Sequence, residues 1–222
     1  MLLSDRVVPV GGGTQGVGAA VARAAAREGA TVTVTGRRPE PGPALAAEIG
    51  REYVAADVPD VDSARASGRA VGGVTRDVTK GEVRRWTAYV DRHGRRGAPG
   101  TTVDIISSSE VGGRPYLAPY VAATARLAGL TRNAAHAHRF DRIRINGLDV
   151  GWTDTEGEDA TQRVFHAADD GRRERAAKAL PMGKLAQVDE IADLVVLLLS
   201  ARSGVVTGSV IDWDQNVPGG LD

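Results

Sequence analysis

The fold of this chain is decided by the stretch Val7-Val8-Pro9-Val10-Gly11-Gly12-Gly13-Thr14-Gln15-Gly16-Val17-Gly18. A short apolar run predicts a buried strand, and the strand leads into a glycine-rich turn. Residues 19–27 contain no helix breaker, so a helix is expected to leave the turn. The N-terminus of such a helix presents backbone N–H groups and positive partial charge to an anion. The stretch therefore predicts a strand–turn–helix unit able to hold a dinucleotide pyrophosphate.

The glycines of this turn fit two spacings. Gly11, Gly13 and Gly16 form Gly-x-Gly-x-x-Gly, whereas Gly12, Gly16 and Gly18 form Gly-x-x-x-Gly-x-Gly. A single glycine motif is weak evidence for dinucleotide binding, because glycine-rich turns are common. The competing interpretation is a tight turn without a ligand. The β-branched run at 31–35 supports the dinucleotide interpretation, because it completes a strand–helix–strand unit.

Strand and helix patterns alternate along the rest of the chain. Further strands are predicted at 53–56, 101–107, 143–145 and 205–213, and further helices at 44–50, 117–137, 156–178 and 189–200. This alternation predicts one α/β domain over 1–222, a Rossmann-type doubly wound parallel sheet in three α/β/α layers. Residues 60–100 contain no convincing apolar strand, which leaves open a shortened or disturbed centre of the sheet.

Composition excludes several classes of function. The chain has 28 Lys and Arg against 28 Asp and Glu, so its balanced charge predicts neither nucleic acid nor a membrane surface as partner. It has no cysteine, which fits a reducing compartment. The N-terminus lacks the pattern of a signal peptide, and we expect a cytoplasmic protein. No His/Asp/Glu cluster has metal-ligand spacing, so no metal site is predicted.

Several motifs, taken in order, resemble the short-chain dehydrogenase/reductase family over most of the chain. The motifs are Gly12-x-x-x-Gly16-x-Gly18, Ala56-Asp57-Val58, a serine-ended strand before Tyr120, Arg144-Ile145-Asn146, Gly151-Trp152-Thr153-Asp154-Thr155, Leu180-Pro181-Met182-Gly183, Asp189-Glu190-Ile191-Ala192 and Val206-Thr207-Gly208-Ser209-Val210-Ile211-Asp212. The resemblance implies a Rossmann-type fold and hydride transfer between a nicotinamide dinucleotide and a small carbonyl or alcohol substrate. It also implies a homodimer or homotetramer.

The resemblance places the catalytic proton donor at Tyr120 and the hydroxyl that holds the substrate oxygen at Ser109. The spacing Ser-x-x-Gly, ending at Gly112, selects Ser109, whereas the usual gap back from the tyrosine selects Ser107. Alternation along a strand puts both serines on one side. We choose Ser109, because it lies nearer the carboxyl end of the strand, where open α/β sheets bind ligands.

The second predicted strand is followed by Gly36-Arg37-Arg38 rather than by an acidic residue. Cationic side chains suit a 2′-phosphate, so NADP(H) is favoured over NAD(H). The resemblance assigns adenine contacts to Asp57 and Val58, and nicotinamide-side contacts to residues after the fifth strand. The predicted cofactor-binding set is Gly12, Thr14, Gln15, Gly16, Val17, Gly18, Arg37, Arg38, Asp57, Val58, Tyr120, Gly151, Thr153 and Thr155.

Two departures from the family pattern affect the expected chemistry. Thr124 occupies the position four residues after Tyr120, where the family has a lysine, and a hydroxyl carries no charge that could lower the tyrosine pKa. The family's Asn-Asn-Ala-Gly element is replaced by a weak match at Ala70-Val71-Gly72-Gly73. Two hypotheses follow: an NADP(H)-dependent oxidoreductase, or a catalytically impaired protein of the same fold that binds nucleotide or forms oligomers.

Overall fold

A computed structural model describes residues 1–37, 40–55, 99–112, 117–166 and 169–217 of the chain. Its strands are β1 Val7–Gly11, β2 Thr31–Gly36, β3 Glu52–Ala55, β4 Gly100–Ser107, β5 Ile143–Val150 and β6 Val210–Trp213. Its helices are α1 Gly16–Arg27, α2 Pro41–Glu48, α3 Ala118–Ala137, α4 Glu156–His166, α5 Arg172–Lys178 and α6 Val188–Leu199. Short 3-10 helices cover Ser108–Val111, Arg139–Asp141 and Ala201–Ser203.

The described strands form two three-stranded parallel sheets, ordered β1-β2-β3 and β4-β5-β6. Parallel pairing requires a crossover between successive strands, and helices supply those crossovers in this chain. β2 and β5 are the middle strands, and both are buried almost along their whole length. The Rossmann-type α/β architecture is confirmed. The open question of a central strand concerns residues 60–100. Of these, residues 60–98 lie outside the described part of the chain.

One hydrophobic core joins the described parts of both sheets. Val10 and Val34 from the first sheet belong to the same buried cluster as Val103 and Leu148 from the second. The cluster continues into α6, which packs against α1. Alanines dominate the buried face of α1, and their small side chains permit close packing. The core therefore holds the carboxyl ends of β1 and β5 in one structure.

Some element boundaries differ from the sequence predictions. The single helix expected at 156–178 is two helices, since an Asp-Asp-Gly turn separates them and Asp169 accepts a hydrogen bond from the Gly171 N–H at 3.0 Å. The last strand begins at Val210 rather than at 205. The preceding loop is held by Asn146, whose side chain donates to the Val206 carbonyl at 3.0 Å and accepts from the Ser209 N–H at 3.2 Å. In the described ranges, none of the helices has the length and apolar character needed to cross a membrane.

Candidate active site

The glycine turn between β1 and α1 needs glycine at several of its positions. Gly12 and Gly16 have φ values of 66° and 53°, in the region that favours glycine. A Cβ on Gly18 would lie 2.4 Å from the Gly12 carbonyl oxygen, so the helix approaches the turn too closely for any side chain there. Gly12, Gly16 and Gly18 therefore all require glycine, whereas Gly11 is a strand residue. Gly13 also requires glycine, because a Cβ there would lie 2.9 Å from the Val10 carbonyl oxygen.

The loop after β5 brings its threonines to this turn. A Cβ on Gly16 would lie 3.6 Å from the Thr155 methyl carbon, so Thr155 faces the start of α1. The Thr155 hydroxyl oxygen accepts a hydrogen bond from the Glu158 N–H at 3.1 Å and so caps α4. Thr153 is buried and donates to the Gly151 carbonyl at 2.9 Å. The structure therefore places two distant parts of the predicted cofactor set side by side.

The end of β2 lies beside the same turn. A Cβ on Gly36 would lie 2.6 Å from the Thr14 methyl carbon, which leaves no room for a side chain between strand and turn. Arg37 follows directly and is exposed. Its neighbour Arg38 lies outside the described residues, as do Asp57 and Val58. Gln15 occupies the N-cap position of α1, and Val17 is buried in the first turn of the helix.

The two candidate serines do not share one side of a strand, and that expectation is wrong. β4 ends at Ser107, and Ser109 belongs to the 3-10 helix that follows, so strand alternation no longer applies. The Ser107 hydroxyl oxygen accepts a hydrogen bond from the Ser109 N–H at 3.3 Å and so caps this short helix. Ser109 is buried, and α3 packs against the 3-10 helix that carries it. Ser107 therefore supports the turn that carries Ser109.

Tyr120 lies in the first turn of α3 and leaves 43% of its surface exposed. Thr124 follows one turn later and is buried. Its hydroxyl lies 3.0 Å from the carbonyl oxygens of both Tyr120 and Val121, so it donates to the backbone of its own helix. A threonine held in this way adds no positive charge beside the tyrosine.

Carboxylates gather at the carboxyl ends of β4, β5 and β6. Asp149 is 1% exposed, and neither of its carboxylate oxygens has a hydrogen-bond partner within the described residues. Asp212 pairs with it across the β5–β6 ladder, and a Cβ on Gly151 would lie 2.5 Å from the Asp214 carboxyl carbon. Burial, followed by the charges of Glu110, Asp212 and Asp214, together raise the pKa of Asp149 to about 7.

Glu110 directly follows Ser109 and belongs to the same acidic group. Burial raises its pKa above the ordinary value, the positive charge of Arg132 opposes that shift, and Asp212 adds to it. The described members of this group are not arranged to hold a metal ion. The candidate site is therefore bordered by acids whose protonation depends on burial and on one another.

A buried arginine lies next to the loop after β5, and sequence reasoning missed it. Arg172 begins α5 and is 6% exposed. Its guanidinium carbon lies 5.8 Å from the centre of the Trp152 ring, and its Nη2 donates to an Asp159 oxygen at 3.3 Å. Charged residues are frequent from 156 to 178, so nothing in the pattern marks one of them as buried.

Comparison with known proteins agrees with this geometry. Residues 83–216 match a family model described as enoyl-(acyl carrier protein) reductase, and residues 6–83 match one described as short chain dehydrogenase. The A-factor type gamma-butyrolactone 1'-reductase (1S-forming) of Streptomyces virginiae is 29% identical, with 96% of this chain and 95% of the relative covered.

Solved structures give the same result. A short chain dehydrogenase/reductase family protein is 30% identical, with a TM-score of 0.83 over 97% of this chain and 98% of the other. L-sorbose reductase from Gluconobacter frateurii, complexed with NADPH and L-sorbose, shares the fold with a TM-score of 0.88 at 22% identity, over 99% of this chain and 98% of the other. With family models matched from residue 6 to residue 216, the chain belongs to the short-chain dehydrogenase/reductase family of oxidoreductases.

Proposed function

We propose that this family member transfers a hydride between NADP(H) and a small carbonyl or alcohol substrate. The observation that carries the proposal is the position of Thr155 against Gly16, which joins the glycine turn to the loop after β5. Tyr120 and Ser109 belong to elements that pack together beyond the carboxyl end of β4. Ligands of open α/β sheets bind at this edge.

The residues of the turn fit a dinucleotide. Close approach of α1 at Gly18 and the left-handed backbone at Gly16 leave the first N–H groups of the helix free of side-chain bulk, as a pyrophosphate requires. Thr153 and Thr155 would contact the nicotinamide half of the cofactor. Arg37 would contact the 2′-phosphate that distinguishes NADP(H) from NAD(H). When bound, the nicotinamide supplies or accepts the hydride.

Tyr120 and Ser109 account for the proton chemistry. In the direction of reduction, the Tyr120 Oη–H bond breaks as its proton passes to the carbonyl oxygen, while the carbonyl carbon gains the hydride. The Ser109 hydroxyl donates a hydrogen bond to the same oxygen and stabilises the negative charge that develops there. The product is an alcohol, and solvent must return a proton to the tyrosine oxygen.

A second candidate function rests on Thr124. Because its hydroxyl is bonded to the α3 backbone, Tyr120 receives no charge from that position. A family member of this kind would bind nucleotide and catalyse hydride transfer weakly or not at all.

Two measurements on the same protein separate the candidates. Fluorescence titration gives the affinities for NADPH and NADH, and steady-state assays on a carbonyl panel give turnover for the wild type and for Tyr120→Phe. The oxidoreductase predicts tighter binding of NADPH and turnover that Tyr120→Phe abolishes. Tight binding without turnover that depends on Tyr120 would support the second candidate. Failure to bind either nucleotide would contradict both.

We also propose that α3 forms part of an interface between copies of this chain. Its exposed face carries small residues that let two helices approach closely, namely Ala118, Ala122, Ala125 and Gly129. Light scattering should give a dimer or tetramer for the wild type and a smaller species for Ala125→Glu. A monomeric wild type would contradict this assignment.

A further inference from the structure

We propose that Arg172 and Trp152 form a subsite that binds the carboxylate of an acidic carbonyl substrate. The inference deepens the proposed function and rests on it, because the subsite would orient a substrate for the same reaction. It concerns a part of the molecule, the segment after β5, that the proposed chemistry of Tyr120 and Ser109 does not use.

Two neighbouring side chains, Arg172 and Trp152, carry buried N–H donors without enough acceptors. Arg172 Nε, Arg172 Nη1 and Trp152 Nε1 are inaccessible, and none of them has a hydrogen-bond partner within the part of the chain that the structure describes. The one hydrogen bond that the guanidinium donates within the described residues, from Nη2 to Asp159, is 3.3 Å long. The other oxygen of Asp159 accepts from Arg163 Nε at 2.8 Å, so this carboxylate is shared between two arginines. Burying a guanidinium with so few acceptors costs free energy unless a bound ligand supplies a further acceptor.

The other cations of α5 are paired differently. They lie at the surface, more than half exposed, and each has a carboxylate at 2.6 to 3.0 Å: Arg173 with Asp154, Arg175 with Asp169, and Lys178 with Glu174. Arg172 combines the deepest burial with the longest ion pair of this set. A purely structural cation would be expected to have its acceptors built in.

The backbone of Trp152 lies next to the candidate site. Trp152 directly follows Gly151 at the end of β5, and Thr155, three residues later, faces Gly16. The backbone between them is fixed to Ala186, whose N–H donates to the Trp152 carbonyl at 3.0 Å and whose carbonyl accepts from Asp154 at 2.9 Å. The backbone that carries the indole is therefore fixed between the carboxyl end of β5 and the glycine turn.

The donor set selects an anionic oxygen group. Guanidinium and indole N–H groups donate only, and a carboxylate accepts several hydrogen bonds while neutralising the buried positive charge. A cofactor phosphate offers the same chemistry from a different source. The two sources can be separated, because one predicts an effect on substrate binding and the other an effect on nucleotide binding.

Calorimetric titration of the NADPH-loaded protein tests the subsite without requiring turnover. The probes are two matched pairs, pyruvate with methyl pyruvate and benzoylformate with methyl benzoylformate, in which only the carboxylate differs. We expect the acid of at least one pair to bind about tenfold or more tightly than its ester, as a charge-assisted hydrogen bond implies. Arg172→Lys, which keeps the charge but loses the planar donors, should remove most of that preference and leave the affinity for NADPH unchanged.

Two further variants keep the test interpretable. Trp152→Phe removes one donor without removing a charge, and it should reduce the preference for the acid about fivefold, as loss of one hydrogen bond implies. Arg175→Gln is the matched control, an exposed arginine of the same helix, and it should bind the acids like the wild type. Circular dichroism establishes that each variant is folded before titration.

Several results would overturn the proposal. Equal binding of acid and ester in both pairs would do so, as would an unchanged preference in Arg172→Lys and Trp152→Phe. Loss of NADPH affinity in Arg172→Lys would assign the donors to the cofactor instead. A wild type that binds NADPH without distinguishing acid from ester contradicts the subsite alone, whereas a wild type that binds no nucleotide contradicts the proposed function.

Discussion

Replacing Asp149 by Asn should stabilise the fold at neutral and alkaline pH but not in acid. The pKa of Asp149 in the folded chain is about 7, against an ordinary value of 3.8, because the carboxyl is buried near Glu110, Asp212 and Asp214. The folded state therefore binds this proton more tightly than the unfolded state does. Ionisation opposes folding, so the penalty is absent below about pH 4, grows between pH 4 and 7, and is complete above pH 7.

The size of the effect follows from the pKa difference. A shift of about three units corresponds to about 4 kcal/mol as an upper limit, at about 1.4 kcal/mol per unit. We expect about half of that limit, or about 2 kcal/mol, because Asp149 titrates together with the neighbouring carboxylates, which bind part of the proton. Asparagine has the shape of the protonated acid and cannot ionise. It should therefore recover about 2 kcal/mol at pH 8 and little at pH 4.

Urea unfolding followed by tryptophan fluorescence, repeated at several pH values from 4 to 8, measures this difference. The control is Asp193→Asn, an exposed acid on α6 that should change stability by less than about 0.5 kcal/mol at every pH. A constant difference between Asp149→Asn and the wild type across this range would refute the reasoning. So would an Asp149→Asn variant that is less stable than the wild type at pH 8.

Three further predictions concern the site. Gly18→Ala should lower stability by about 1–3 kcal/mol and weaken NADPH binding, because its Cβ would lie 2.4 Å from the Gly12 carbonyl oxygen. Gly157→Ala places its Cβ in open space and should change neither quantity in the same melting and titration experiments. Arg37→Gln should raise the Kd for NADPH about tenfold and leave that for NADH unchanged, and equal effects on both would remove Arg37 from the 2′-phosphate site. Thr124→Lys should raise kcat about tenfold or more by placing a charge near Tyr120, and an unchanged kcat would show that the limitation lies elsewhere.

Much of the fold was predictable because its signals are local. Apolar runs, β-branched stretches and the glycine turn identified strands and helices from β1 to β6, and the alternation gave the architecture. Boundaries were less predictable where a single side chain decides them. Asn146 holds the loop before β6, so that the strand begins at Val210, and Asp169 stabilises the turn between α4 and α5. Such contacts depend on partners distant in sequence or on turn geometry.

The site was predictable only in part, for the same reason. Strand alternation suggested the wrong geometry for Ser109, because the backbone leaves the strand at Ser108 and turns. The contact between Gly16 and Thr155 joins residues far apart in the sequence, and the spacing of motifs could not show it. Burial of Arg172 depends on Trp152 and Asp159, and no local pattern shows that one arginine of a charged helix points inward.

The most direct test of the account is calorimetric titration of NADPH into the wild type, Gly16→Val and Gly50→Val. Both glycines have positive φ, 53° and 62°, so both substitutions strain the backbone similarly. Gly16 faces Thr155, whereas a Cβ on Gly50 would meet nothing within 4 Å. We expect one NADPH site per chain, an affinity reduced about tenfold or more in Gly16→Val, and an unchanged affinity in Gly50→Val. Wild-type protein that binds no NADPH, or a Gly16→Val variant that binds as tightly as Gly50→Val, would contradict it.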